Sequence, residues 1–188
     1  MIIRDIIELQ KREVETLLKE EYIKRTGPNI DLSNSLIKVI TGPRRAGKSF
    51  FSIYTLSKNN KFGYINFDDE ELTRIEDYNE LVSAVNSVYG NPKILFFDEV
   101  QNLPRWELFV NRLQRQGYKL IITGSNSHLL SKELATHLTG RHFQIIIFPF
   151  SFKEYIELEK KHLTTSEIKE KLNDYLTFGG YPEPLIKK

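Results

Sequence analysis

The amino-acid sequence predicts an α/β fold in which a parallel sheet is covered by helices on both faces. Five apolar runs alternate with longer segments of helical character, and strands that alternate with helices form parallel sheets. The run from 94 to 97 is apolar without interruption, which is typical of a strand buried on both faces. Polar residues lie at four of the five strand ends, and a parallel sheet binds ligands at the edge where its strands end.

The composition excludes several classes of protein. The chain has 188 residues, enough for one domain with a small appendage, and 40% of them are apolar. It contains no cysteine, which excludes disulfides and thiolate metal sites and fits a cytoplasmic location. We find no signal peptide and no apolar run of membrane-spanning length, so no membrane partner is expected. The net charge of +2 is too small to argue for nucleic-acid binding by itself.

The chain begins with a predicted amphipathic helix over residues 2–25. Acids and bases are mixed on its polar face, so we expect it to pack on its own domain rather than on a membrane or a partner. The segment 26–29 ends this helix. The first strand is predicted at 36–41, and a glycine-rich turn then leads into a helix that ends near residue 58.

The following elements keep the alternation of strand and helix up to residue 148. They are a strand at 62–67, a helix over 72–89 that Tyr78 and Asn79 are expected to interrupt, a strand at 94–97, a helix at 104–116, a strand at 119–123, a helix at 127–138 and a strand at 142–148. From Pro149 the alternation stops, and two helices are predicted over 151–161 and 166–178, the first with a capping-box sequence. We therefore expect a core over 1–148 and a small helical lid over 149–188.

The turn after the first strand has the pattern G-x-x-x-x-G-K-S of a phosphate-binding loop. It lies between a predicted strand and a predicted helix, which is the setting that this motif needs. Its glycines let backbone N–H groups surround a phosphate, and the helix N-terminus adds partial positive charge. Lys48 is expected to reach the β- and γ-phosphates, and the Ser49 hydroxyl to bind Mg²⁺. The candidate nucleotide contacts are Gly42, Pro43, Arg44, Arg45, Ala46, Gly47, Lys48, Ser49 and Phe50.

Other strand ends carry further candidate residues. After the third strand, Asp98 is suited to hold Mg²⁺ through water, and Glu99 is suited to act as a general base on the attacking water. After the fourth strand, Ser125 or Asn126 can orient that water or contact the γ-phosphate, and a simple turn role stays open. Arg141 precedes the fifth strand, where its guanidinium can stabilise a transferring phosphoryl group in its own chain or in a neighbour. An exposed arginine without a function is the other interpretation.

With these motifs in this order, the chain resembles the AAA+ superfamily of P-loop ATPases. The phrases LTGR, FPFSFKEY and GGYPEP make it similar to archaeal and bacterial ATPases whose AAA domain is often followed by a nuclease-like or uncharacterised C-terminal domain. The resemblance implies a P-loop NTPase fold of three α/β/α layers, with a five-stranded parallel sheet in the order 5-1-4-3-2 and a small helical lid. It also implies that the chain ends before a further domain.

The resemblance implies roles for the residues in these motifs. Residues 42–49 would be the Walker A motif, Asp98 the Walker B acid and Glu99 the catalytic acid. Asn126, or Ser125 in its place, would be sensor 1. Lys48, Glu99, Asn126 and Arg141 are then the candidate catalytic residues, and Ser49 and Asp98 the candidate metal ligands.

Two further roles follow from the same resemblance. Arg141 matches the position where arginine fingers of AAA+ proteins often lie, which implies self-association through this residue. Gly180 and Pro182 match an element near the adenine in related signalling and origin-recognition ATPases. The lid has no arginine at an obvious sensor 2 position.

The expected activity is the hydrolysis of ATP to ADP and phosphate with Mg²⁺, coupled to an unknown protein partner or DNA-related process. The alternative is a nucleotide-controlled binding switch, similar to STAND signalling proteins, that holds ATP or ADP with little turnover. A small-molecule kinase is a third interpretation. Glu99 disfavours it, because a glutamate that activates water would waste ATP.

Overall fold

The computed structural model describes residues 2–20, 22–58, 61–124, 138–159 and 162–182. Five strands form one parallel sheet: β1 Ile37–Thr41, β2 Phe62–Asn66, β3 Ile94–Asp98, β4 Lys119–Thr123 and β5 His142–Ile146. Their spatial order is β2-β3-β4-β1-β5, which confirms the predicted order and the P-loop NTPase-like α/β fold.

Helices account for most of the remaining chain in the described ranges. They are α1 Ile3–Leu17, α2 Lys48–Ser57, α3 Glu70–Thr73, α4 Tyr78–Tyr89, α5 Trp106–Arg115, α6 Phe152–Glu157 and α7 Thr165–Phe178, with a 3₁₀ helix at Val100–Asn102. The helix predicted at 127–138 lies almost wholly outside the described residues. No helix that the structure describes is both long enough and apolar enough to cross a membrane.

Alternate residues of the central strands enter two separate cores, one on each face of the sheet. Leu95 and Phe97 pack with residues of α1, α4 and α5, whereas Ile94 and Phe96 pack with residues of α2. All four side chains are buried. Because successive side chains of a strand point to opposite faces, this run had to be apolar throughout.

The two edges of the sheet differ. At the β2 edge, the Gln10 side chain of α1 donates a hydrogen bond of 3.0 Å to the Asn66 carbonyl and accepts one of 2.9 Å from the Asn66 N–H. At the β5 edge, Phe143 and Ile146 are 54% and 46% exposed. Helix α1 therefore covers one edge and, as predicted, packs on its own domain.

The predicted N-terminal helix over 2–25 is too long, because α1 ends at Leu17. Further along, the Tyr22 ring stacks on Tyr54 with 3.5 Å between ring centroids, and Arg25 is buried between distant parts of the chain. Contacts with residues far away in the sequence thus override the local helical pattern.

The helix predicted over 72–89 is interrupted, but at residues 74–77 and not at Tyr78 and Asn79, which are the first two residues of α4. The Asp77 side chain accepts a hydrogen bond of 2.8 Å from the Asn79 N–H, which caps the first turn of α4 and separates it from α3. The capping box before α6 is also present, with Ser151 and Glu154 each bonding the other's backbone N–H.

Helices α6 and α7 form a small unit next to the sheet. Phe150, Phe152, Tyr155 and Tyr175 pack together in it, and the Tyr175 hydroxyl donates a hydrogen bond of 2.7 Å to the Phe150 carbonyl. The two helices lie in the region where the sequence predicts a helical lid, and the division into core and lid stays a prediction.

Candidate nucleotide site

The candidate site lies at the carboxyl edge of the sheet, where the central strands end side by side. The loop over 42–47 follows β1, Asp98 ends β3 and Thr123 ends β4. The three strands are neighbours in the sheet, so these ends meet. The topology thus brings together groups that are between 25 and 81 residues apart in the sequence, as a parallel sheet is expected to do.

Two glycines shape the loop. Gly42 has a φ of 152°, and a Cβ at this position would lie 2.0 Å from the carbonyl oxygen of Ile147. Gly47 has a φ of 86° and stands at the N-terminus of α2. Only glycine adopts both conformations without strain, so the loop can keep its backbone close to the chain behind it.

Lys48 is the first residue of α2 and is buried. Its ammonium donates hydrogen bonds to the carbonyl oxygens of Gly42, at 3.2 Å, and of Pro43, at 3.1 Å. The positive charge therefore lies within the loop itself. An anion bound against the loop and the N-terminus of α2 would meet this ammonium.

Three hydroxyl groups converge on the carboxylate of Asp98. Ser49 donates to Oδ1 at 2.9 Å, Thr123 donates to the same oxygen, and Tyr64 donates to Oδ2 at 3.1 Å. Asp98 is only 3% exposed. Burial raises the pKa of this carboxyl group, although the hydrogen bonds from Thr123 and Ser49 oppose the rise.

The Ser49 hydroxyl and the Asp98 carboxylate together fit Mg²⁺, which prefers oxygen ligands. Among the described residues, no group of three or more His, Asp or Glu side chains is arranged so that it could hold a metal ion by itself. The ion would thus take its remaining ligands from phosphate oxygens and water, as Mg²⁺ does in nucleotide sites. The sequence did not point to Tyr64 or Thr123, because neither belongs to the motif of loop and paired acids.

Glu99 follows Asp98 in a left-handed backbone conformation, with a φ of 49°. Its N–H donates a hydrogen bond of 3.0 Å to the Thr123 hydroxyl, and its Oε2 accepts one of 2.6 Å from the Gln101 amide. Positive φ is uncommon outside glycine and often occurs at functional sites. Backbone and side chain of Glu99 are therefore both held by neighbours.

A cavity of about 710 Å³ opens beside the loop, a size that suits a nucleotide. Its wall combines residues of the phosphate-binding loop, Glu99 and a mainly apolar set from the N-terminal segment and the lid. The lining residues are Leu17, Glu20, Tyr22, Ile23, Arg25, Arg45, Ala46, Gly47, Lys48, Ser49, Phe50, Phe51, Glu99, Phe150 and Pro182.

The N-terminal segment contributes a wall that sequence reasoning missed. Tyr22 lies stacked on Tyr54 and edge-on to Phe50, with 5.6 Å between the centroids of the second pair. Ile23 lies in the same wall. The pattern of residues 2–25 predicted a continuous helix, so nothing in it indicated that these side chains line a cavity.

Arg25 joins the loop to the lid. Its Nη2 donates hydrogen bonds of 2.6 Å to the carbonyl oxygens of both Ala46 and Phe148. Its Nη1 lies 3.6 Å from Glu154 Oε2, and its guanidinium lies 4.0 Å from the centroid of the Phe150 ring. One buried cation thus contacts the phosphate-binding loop, the chain after β5 and the first lid helix.

The structure places Arg141 away from these groups. Its carbonyl accepts a hydrogen bond of 2.9 Å from the N–H of Ile37, at the start of β1, whereas the loop follows the end of β1. A strand of five residues, roughly 16 Å long, separates the two edges. Arg141 is exposed at the opposite edge, so it does not join the other candidates within one chain.

The remaining predicted residues fall into three groups. Ser125 and Asn126 lie outside the described residues. Pro182 lines the cavity, and its Cγ lies 3.6 Å from the position of a Cβ on Gly47. Arg44 and Arg45 are both exposed, and Arg45 also lines the cavity.

Comparison with known proteins gives a consistent result. A family model described as an AAA domain matches residues 34–156. An uncharacterized protein of Methanocaldococcus jannaschii is 44% identical over 165 residues, which cover 82% of this chain and 37% of that protein. An uncharacterized protein of Haemophilus influenzae is 33% identical over 161 residues, which cover 80% of this chain and 40% of that protein.

These matches span about two fifths of the length of the two curated relatives. Among solved structures, the fold is similar to that of a Walker-type ATPase of Pyrococcus abyssi, with a TM-score of 0.51 and 17% identity. That match covers 90% of this chain and 69% of the other. At this identity the likeness concerns the fold alone.

Proposed function

This chain belongs to the AAA domain family of nucleotide-binding P-loop ATPases, and from that premise we propose that it binds ATP with Mg²⁺ and hydrolyses it to ADP and phosphate. One observation carries the proposal. The hydroxyl of Ser49, next to the loop lysine, donates to the buried carboxylate of Asp98 at 2.9 Å, and Glu99 follows directly. The groups proposed to hold a metal and to activate water therefore adjoin the phosphate-binding loop.

In this proposal the loop and the N-terminus of α2 bind the β- and γ-phosphates. Backbone N–H groups and the end of the helix dipole attract the anion. Lys48 exchanges its contacts with the carbonyl oxygens of Gly42 and Pro43 for phosphate oxygens. Ser49 and Asp98 would hold Mg²⁺ beside these phosphates, where the ion would supply positive charge.

Glu99 is proposed as the general base. It accepts a proton from a water molecule whose oxygen attacks the γ-phosphorus, while the bond from that phosphorus to the bridging oxygen breaks and ADP leaves. Glu99 lines the same cavity as the loop, which supports this assignment. When bound, Mg²⁺ supplies charge stabilisation for the phosphate oxygens.

The base of the nucleotide is assigned to the apolar part of the cavity. Tyr22, Ile23, Phe150 and Pro182 form this part, and aromatic and apolar side chains are the usual neighbours of a nucleobase. Arg141 lies at the other edge of the sheet, so any contribution to hydrolysis would have to reach the site of a second copy of this chain. In this proposal, hydrolysis is coupled to a protein partner or to a process on DNA.

A second candidate function is a nucleotide-controlled switch with little turnover. The contacts of Arg25 favour it, because this residue bonds the Ala46 carbonyl of the loop and lies beside Glu154 of the lid. A ligand that changes the loop would change the partners of the lid as well. The two functions share the binding site and differ in the number of turnovers.

Calorimetry and phosphate release test the proposal. Lys48→Ala should abolish tight binding of ATPγS·Mg²⁺, whereas Lys93→Ala, a change at an exposed lysine, should leave the affinity unaltered. Glu99→Gln should keep the affinity and lose about a hundredfold or more in turnover, with the exposed Glu80→Gln as its control. Unchanged affinity in Lys48→Ala would contradict the site, and a single turnover in the unaltered chain would favour the switch.

A further inference from the structure

The side chain of Glu99 has a specific partner in Gln101. The Gln101 amide donates a hydrogen bond of 2.6 Å from Nε2 to Glu99 Oε2. Its own oxygen, Oε1, is buried and finds no hydrogen-bond partner in the described part of the chain. The amide thus donates a hydrogen bond to the carboxylate, and its acceptor oxygen stays unsatisfied among the described residues.

This arrangement is difficult to explain as packing alone. A buried acceptor without a donor destabilises the fold, and an apolar side chain of similar length would fill the same space without that cost. Among the described residues, the favourable polar contact of the Gln101 side chain is the bond to Glu99. We therefore look for the role of Gln101 in the effect of its hydrogen bond on the Glu99 carboxylate.

Buried neighbours hold the backbone of Gln101 in place. It lies in the 3₁₀ helix Val100–Asn102, whose Val100 is fully buried in the core and which is followed by the equally buried Leu103. The Asn102 side chain donates a hydrogen bond of 3.2 Å to the Phe67 carbonyl, beyond the end of β2. These contacts fix the position from which the amide reaches Glu99.

We propose that Gln101 is a positioning residue that orients the Glu99 carboxylate for proton transfer from the attacking water. This inference rests on the proposed hydrolysis. The Thr123 hydroxyl fixes the backbone N–H of Glu99, and the Gln101 amide fixes Oε2. The other carboxylate oxygen, Oε1, is then left to accept the proton.

Without the amide, the Glu99 side chain rotates about its own bonds and populates orientations that do not face the water. Orientation of a reacting group by even one hydrogen bond affects the rate, because small displacements from the reactive geometry slow the chemical step. The expected effect is on turnover, not on nucleotide affinity. Gln101 does not line the cavity, so it has no direct contact with the ligand to lose.

Gln101→Met tests this role, since methionine has similar length and no donor. We expect the turnover number to fall about tenfold or more, while the KM for ATP and the dissociation constant of ATPγS·Mg²⁺ stay within about twofold. Gln101→Asn is too short to reach Oε2 and should lose turnover to a similar degree. Gln116→Met, at the exposed C-terminal end of α5, is the matched control and should behave as the unaltered chain.

A double-mutant cycle separates a positioning role from a structural one. In the Glu99→Gln background, Gln101→Met should cause no further loss, because Gln101 acts only through the Glu99 carboxylate. A further loss as large as in the unaltered background would overturn the inference. Turnover of Gln101→Met within twofold of the unaltered chain, or a rise in turnover, would overturn it as well.

The same measurements distinguish failure of this inference from failure of the proposed function. If Glu99→Gln lowers turnover and Gln101→Met does not, only the positioning role falls. If the unaltered chain has no turnover, or Glu99→Gln leaves it intact, the proposed hydrolysis falls and the role of Gln101 falls with it.

Discussion

At the residue scale, Asp98 belongs to the candidate site but destabilises the fold, because its charge is buried. Its carboxylate is almost fully buried and accepts hydrogen bonds from Ser49, Thr123 and Tyr64. Burial disfavours the charged form, and the raised pKa reports that the hydroxyls compensate only in part. A cation bound at this position would stabilise the charged carboxylate beyond what the three hydroxyl groups achieve.

Asp98→Asn should therefore stabilise the chain in the absence of nucleotide. We expect a rise in Tm of roughly 2–4 °C at pH 7, because the variant removes a buried charge and keeps the shape of the side chain. The folded-state pKa of Asp98 lies above its ordinary value of 3.8. The protonated carboxyl group therefore contributes fully to the free energy of unfolding below pH 3.8, and this contribution is lost as the pH rises through the folded-state pKa. The difference in Tm between variant and unaltered chain should accordingly grow between about pH 4 and pH 7.

Thermal melts at several pH values, with and without ATPγS·Mg²⁺, measure both effects. The unaltered chain should gain Tm when Mg²⁺ is added with the nucleotide, and Asp98→Asn should lose the part of this gain that depends on Mg²⁺. A variant that melts below the unaltered chain at pH 7 without ligand would contradict the explanation.

At the scale of elements, Glu154 connects α6 to the segment that precedes β1. Besides its role in the capping box, it accepts a hydrogen bond of 2.7 Å from the Thr26 N–H and lies 3.6 Å from Arg25. Burial alone would raise the pKa of this carboxyl group. The hydrogen bonds from the N–H groups of Thr26 and Ser151, with the charge of Arg25, outweigh burial, so its pKa is lowered.

Glu154→Gln should destabilise the chain by about 3 kcal/mol at pH 7, because it leaves the buried Arg25 without its carboxylate. Since the folded-state pKa lies below the ordinary value of 4.5, the contribution of Glu154 is present above that pH and is lost as the pH falls through the folded pKa. The difference between the two proteins should thus shrink in acid.

Urea denaturation at pH 7 and at about pH 3 measures this change. Glu157→Gln is the matched control, since Glu157 lies on the same helix with an exposed side chain and should change little at either pH. Equal destabilisation by Glu154→Gln at both pH values would contradict the role of the charge.

At the scale of the whole molecule, α1 acts as a cover for one edge of the sheet. Gln10 satisfies both the N–H and the carbonyl of Asn66, as a further strand would. Gln10→Ala should lower the free energy of unfolding by about 1–3 kcal/mol, because both backbone groups lose their partner where α1 keeps water away. Glu13→Ala, at an exposed position of the same helix, is the control for helix stability.

Chemical denaturation of the two variants gives the comparison. If Gln10→Ala and Glu13→Ala are equally stable, the contacts with Asn66 contribute nothing and α1 is held by its apolar face alone. Ile6 and Ile7 belong to that face and are buried.

The sequence predicted those parts of the molecule that depend on local patterns. The strands, the loop at 42–49 and the acids Asp98 and Glu99 each show a short pattern with a direct physical meaning, and the structure brings them to one edge. The sheet order followed from the resemblance to a known superfamily. These predictions needed no knowledge of contacts between distant side chains.

The parts that the sequence did not predict depend on such contacts. Tyr22 stacks on Tyr54, Arg25 reaches Glu154 across more than a hundred residues, and Gln10 pairs with Asn66. Each of these residues lies in or just after a segment whose apolar spacing is that of a helix, and helical spacing reveals nothing about a partner. The bond between Gln101 and Glu99 is local, but no motif distinguishes it from an ordinary turn.

The pairing of β1 has a consequence for the order in which the chain folds during synthesis. Val39 pairs with Ile122 of β4 and Gln144 of β5, so the strand before the phosphate-binding loop has its neighbours about 80 and 105 residues later. The backbone behind Gly42 comes from Ile147, later still. A ribosome must therefore deliver nearly the whole described core before β1 finds its place. The phosphate-binding loop is synthesised before most of the described core, yet its surroundings form only after the chain has been made as far as Ile147.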